Sequence, residues 1–73
     1  MDLGDNMMLT RKKKGLSQTD LGKLIGTSGD VIGRYEQGDI SPSIEVVAKI
    51  VDALEVSVGY LIGKTQMQLD NRR

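Results

Sequence analysis

The sequence predicts an all-α domain built from five short helices. Apolar residues recur at i, i+3, i+4 spacing almost throughout, whereas the alternation of a half-buried strand is weak. Ser17, Ser28, Ser43 and Ser57 each stand directly before such a run, where a hydroxyl can cap the free amides of a helix start. Gly15, Gly26, Gly38 and Gly63 close the runs, as helix stops do.

The first helix is expected over Asp2 to Lys14, with Leu3, Met7 and Thr10 on one face. Met8 and Leu9 fall off that face and either widen the buried stripe or stay partly exposed. Ser17 caps the second helix, and Asp20 three residues on makes a weaker form of the capping box. Leu21, Leu24 and Ile25 form its apolar face, and Gly22 is small enough for another helix to cross close above it. Gly26 suits the left-handed conformation that a sharp turn requires. Ser28 caps the third helix, which carries Val31, Ile32 and Tyr35 and ends at about Gln37.

A loop holding the one proline, Pro42, leads to the fourth helix, whose face is Ile44, Val47, Ile50, Val51 and Leu54. Ser57 caps a last helix from Val58 to Ile62. One domain over residues 1–63 and a frayed polar tail over 64–73 follow. The expected core is Leu16, Leu21, Leu24, Ile25, Val31, Ile32, Tyr35, Ile44, Val47, Ile50, Val51, Leu54, Val56, Val58 and Leu61.

Composition narrows the function. The 73 residues contain no cysteine, so neither a disulfide nor a thiolate metal site is expected. They contain no histidine, which removes the usual zinc and copper ligands and the commonest general base. The ten carboxylates are scattered and no phosphate-binding loop is present, so the reading is not an enzyme, with no cofactor and no metal. No apolar run approaches the roughly 18 residues of a membrane span and no signal peptide is visible, so a cytoplasmic protein without a membrane partner is expected. Ten basic residues balance ten acidic ones, which argues mildly against nucleic acid. The block Arg11-Lys12-Lys13-Lys14 suits either a solvated helix end that complements the helix dipole or contact with DNA phosphate.

The helix pair over about 18–37 has the size of a helix-turn-helix unit, whose second helix can enter the major groove of DNA. From Arg11 to Gly63 the chain resembles the Cro and phage-repressor class of regulators, the Xre type. The resemblance is carried by Gly-Leu-Ser-Gln-Thr-Asp-Leu (15–21), Ile-Gly-Thr-Ser (25–28), Val-Ile-Gly-Arg-Tyr-Glu-Gln-Gly (31–38), Ser-Pro-Ser-Ile-Glu (41–45) and Val-Asp-Ala-Leu-Glu-Val-Ser (51–57). Together these phrases are specific, although any one alone is weak. The resemblance implies a five-helix lambda-repressor-like fold and sequence-specific binding of double-stranded DNA. It also implies a regulator acting as a repressor, as a homodimer on a palindromic operator.

Site residues follow from the same resemblance. Gln18 looks like the glutamine that abuts DNA phosphate at a helix N-terminus. The third helix resembles the recognition helix, with Gly29, Asp30, Gly33 and Arg34 facing bases, Thr27 and Ser28 near the backbone, and Gln37 in the following loop. Arg34 is the strongest reader, because a guanidinium pairs bidentately with guanine O6 and N7. Asp30 accepts only from cytosine N4, or simply complements the helix dipole. Gly29 and Gly33 depart from the common pattern by offering no side chain, so the reading surface is sparse. Arg11 and Glu36 resemble the family's partly buried ion pair, which would make Arg11 structural.

Val56, Val58, Tyr60, Leu61 and Ile62 put five apolar residues into seven positions, which suggests a dimer contact or else closes the core. Few ionic contacts imply a shallow salt dependence of binding. A different reading of the poor recognition helix is a protein-binding module, such as an antitoxin with a protein partner and secondary DNA contact. Restriction–modification controllers are a third class of similar size.

Overall fold

The computed structural model describes residues 3–62, which form five helices: α1 Leu3–Lys13, α2 Gln18–Ile25, α3 Gly29–Gln37, α4 Ile44–Leu54 and α5 Val58–Ile62. The described residues contain no strand, and the domain is all-α. The polar tail expected over 64–73 and the helix start expected at Asp2 lie outside the described residues.

Local chemistry sets the helix ends. Ser17 Oγ accepts from the Asp20 amide at 2.9 Å, and the Asp20 carboxylate accepts from the Ser17 amide at 2.9 Å, closing a full capping box. The Ser17 amide first, and the Ser17 hydroxyl second, hold the Asp20 carboxyl below its ordinary pKa by favouring its charged form. Ser28, Ser43 and Ser57 accept in the same way from the amides of Val31, Val46 and Tyr60. Gly26 closes α2 at φ 83°, with its amide turned back to the carbonyls of Gly22 and Lys23.

The helices share one core. Met7, Leu21, Ile32, Ile50, Leu54 and Leu61 are fully buried, and each contributes roughly 1.5–3 kcal/mol of apolar burial. Helix α1 packs on α3 and α5, while α2 packs on α3 and α4. Leu3, Leu16, Tyr35, Val46, Val47, Val51, Ala53 and Val56 pack around the centre.

Three expected core residues are exposed: Leu24 at 60%, Ile44 at 86% and Val58 at 47%. At about 100° per residue, Leu21, Ile25 and Gly22 span one arc of α2. Helix α3 crosses on the Gly22 side and draws the buried arc away from Leu24. A methyl on Gly22 would lie 2.7 Å from the Ser28 carbonyl carbon. Ile44 and Val58 are each the first residue of a helix, and the core-facing residues of those helices, Ile50 and Leu54 in α4 and Leu61 in α5, lie at other angles around the helix axis. Met7 lies on the face its spacing predicts and is fully buried, although the expected core does not include it.

Candidate nucleic-acid interface

A hydrogen-bonded ion pair fixes the angle between the first helix and the end of the third. Arg11 Nε donates to Glu36 Oε2 at 2.7 Å, and a terminal guanidinium nitrogen donates to Glu36 Oε1 at 3.2 Å. The other terminal nitrogen donates to the Leu16 carbonyl at 2.8 Å, which ties in the loop before α2. Both residues are buried, so Arg11 is removed from the exposed basic block of which Lys12, Lys13 and Lys14 remain.

Glu36 also connects this pair to α2. Gln18 Nε2 donates to Glu36 Oε1 at 3.1 Å, which lays the Gln18 carboxamide along α3. It passes over Gly33, where an added methyl would sit 3.3 Å from Gln18 Nε2. The second Nε2 hydrogen stays available to an acceptor. The amides of Gln18 and Thr19, at the first two positions of α2, have no acceptor within their helix. The first turn of α2 thus offers donors and a positive dipole end beside α3.

Between these parts runs an open groove of about 320 Å³, lined by Gln18, Asp30, Gly33, Arg34, Gln37 and Asp39. Five of the eight residues expected at a DNA interface meet there. Arg34 is exposed, and its Nε donates to Asp30 Oδ2 at 3.1 Å across one helical turn. Asp39 adds a second carboxylate at the rim, so the lining carries one cation against two anions.

The other three expected residues serve the turn. Thr27 is half-buried and its amide donates to the Gly22 carbonyl at 2.7 Å. Ser28 uses its hydroxyl as the helix cap. Gly29 faces α2: a methyl there would meet Thr19 Oγ1 at 2.8 Å and the Thr19 amide nitrogen at 2.9 Å. It was expected to face bases, but the close crossing of the two helices occupies that side. The Asp30–Arg34 pairing escaped the sequence reading, although the i, i+4 spacing of opposite charges signals it. Of the residues expected at a dimer contact, Leu61 is fully buried in its own core and so cannot face a partner. Val56 and Ile62 are half-buried, while Val58 and Tyr60 are about half exposed.

Residues 7–61 match the family described as Helix-turn-helix, and the chain belongs to that family. It is 30% identical over 67 residues to the SPbeta prophage-derived HTH-type transcriptional regulator YonR of Bacillus subtilis, covering 92% of this chain and 62% of that protein. Antitoxin PezA of Streptococcus pneumoniae is 31% identical over 89% of this chain and 41% of its own length. Repressor protein C2 of Salmonella phage P22 is 32% identical over 82% of this chain and 28% of its own length. The chain therefore spans less than two thirds of these relatives.

Among solved structures, the P22 c2 repressor in complex with a synthetic operator superposes with a TM-score of 0.80 and 31% identity, covering 85% of this chain and 94% of that one. The restriction-modification controller C.AhdI of Aeromonas hydrophila gives 0.78 and 30% identity, covering 82% and 91%. A hydroxypropylphosphonic acid epoxidase also matches with a TM-score of 0.78, but at 18% identity that likeness is one of fold alone.

Proposed function

We propose that this chain is a sequence-specific double-stranded DNA-binding regulator of transcription, acting as a repressor in the cytoplasm. Helix α3 lies in the major groove, Arg34 reads guanine, and the first turn of α2 with Gln18 seats a backbone phosphate. The observation that carries this reading is the likeness, over most of both chains, to a repressor solved on operator DNA. The exposed arginine on the open side of α3 supports it.

A homodimer on a palindromic operator completes the proposal, because one short helix reads too few base pairs to be selective and a two-fold pair reads two half-sites. Val58 and Tyr60, with the flanks of Val56 and Ile62, supply the apolar contact. Family and site give no reason to assign catalysis. Among the described residues, no helix is long and apolar enough to cross a membrane and no His, Cys, Asp or Glu cluster is suited to a metal.

The likeness to an antitoxin and the two carboxylates of the groove favour one second reading, a module that binds a protein partner through this face. Selection from a random duplex library, run with the native protein and Arg34→Ala, separates the two. A palindromic motif whose guanine preference vanishes with Arg34 supports the regulator. No enriched motif at low salt supports the protein-binding module.

A further inference from the structure

The Asp30–Arg34 pair is the charged centre of the groove. Arg34 is the one cation lining the groove among the described residues, and Gly29 and Gly33 bring no side chain to this face. An unpaired surface arginine beside DNA meets a full negative charge at each phosphate and only partial charges on a base edge, so phosphate competes for it. Here the guanidinium does not stand alone. Asp30 Oδ2 accepts from Nε at 3.1 Å, which leaves the two terminal nitrogens as the free edge of a planar group. The pair as a whole is neutral. Its carboxylate repels phosphate, as does that of Asp39 at the rim.

We propose that Asp30 is a specificity-determining positioning residue, which holds Arg34 for guanine in the major groove and denies it to phosphate. This inference rests on the DNA-binding reading above. Asp30 acts through Arg34 and need not touch a base. It trades affinity for discrimination: the carboxylate weakens attraction to any duplex but leaves the terminal donors, in one plane, for O6 and N7. Both side chains are solvated in the free protein, where such a pair is weak. Docking of α3 against the base edges displaces that water and strengthens the pair.

The test measures equilibrium binding of the native protein, Asp30→Asn, Asp30→Glu and Arg34→Ala. The duplexes are the one enriched by the native protein, the same duplex with adenine or 7-deazaguanine at the guanine read by Arg34, and a random duplex, each over a range of salt. Asp30 is an exposed helix residue, so each variant is first checked for an unchanged helical spectrum.

Asp30→Asn should lower the guanine preference by roughly 5-fold or more while raising affinity for the random duplex. Its log–log salt slope on the random duplex should steepen by about 0.9, one further phosphate neutralised. Asp30→Glu, which keeps a carboxylate one turn from Arg34, should retain most of the preference. An Asp30→Asn protein with undiminished guanine preference would overturn the proposal, and so would a glutamate variant as indiscriminate as the asparagine one. If Arg34→Ala keeps the preference, Arg34 is not the reader and the proposal also falls. Failure of the native protein to enrich any duplex would remove the DNA-binding reading itself, a result distinct from the other three.

Discussion

Glu36→Ala tests the joint on which the interface is built. The carboxylate accepts from two Arg11 nitrogens at 2.7 and 3.2 Å and from Gln18 Nε2 at 3.1 Å. Its side chain is 3% exposed and that of Arg11 is 8% exposed. The substitution leaves a buried guanidinium with the Leu16 carbonyl as its remaining partner in this network. Breaking a buried pair from one side costs about 3–5 kcal/mol. A domain of this length is stable by roughly 4–11 kcal/mol in all, so the variant should lose from about a quarter of its stability to the whole. At about 4–8 °C per kcal/mol, the melting temperature should fall by at least roughly 12 °C.

Urea titration and thermal melting followed by circular dichroism read this directly. The double variant Arg11→Met, Glu36→Leu should be less damaged than either single change, because no charge is then stranded. A Glu36→Ala protein within about 0.5 kcal/mol of the native one would refute the reasoning, since a change of that size is ordinary for an exposed surface residue.

Four further predictions concern other parts of the molecule. Gly4→Ala should destabilise by about 1–3 kcal/mol in urea titration, because its methyl would press on the backbone carbonyls of Glu36 and Tyr35, the latter at 2.8 Å. Glu55→Gly should stabilise by about 0.5–1 kcal/mol and raise the melting temperature. Glu55 holds φ 61° as the cap of α4, and its 3.5 Å pair with Lys14 is an exposed one. The Asp20 carboxyl has a depressed pKa in the folded state, so its contribution is present above its unfolded value of 3.8 and is lost as pH falls through the folded value. Asp20→Asn should therefore show a smaller drop in melting temperature than the native protein between about pH 7 and pH 2. Binding to DNA should show a log–log salt slope much shallower than about −10, since the groove sets one cation against two carboxylates; titration over a range of salt measures it.

Much of this was legible in the sequence because it depends on local chemistry. The four serine caps and the glycine at the α2–α3 turn are each decided within a few residues, and all stand where the spacing places them. Exposure was harder to read, because it depends on which side a neighbouring helix arrives from. Leu24 has helical spacing with Leu21 and Ile25, yet α3 crosses on the Gly22 side and leaves it in solvent. The same crossing turns Gly29 from a candidate reading position into a packing one. Leu61 shows the limit of counting apolar residues near a chain end: density within α5 cannot tell a core side chain from a partner contact. The Asp30–Arg34 pair was readable from its spacing, but its standing as the charged centre of the groove required the groove itself.

The most direct test of the central account is an amide-resolved NMR titration of the isotope-labelled protein with the duplex it enriches. Shifts concentrated at 18–20 and across 29–39, with α5 perturbed only as two copies meet, are the predicted result. Shifts concentrated on α4 with α3 unmoved would contradict it, and would place the DNA contact on a face other than the groove lined by Gln18 and Arg34.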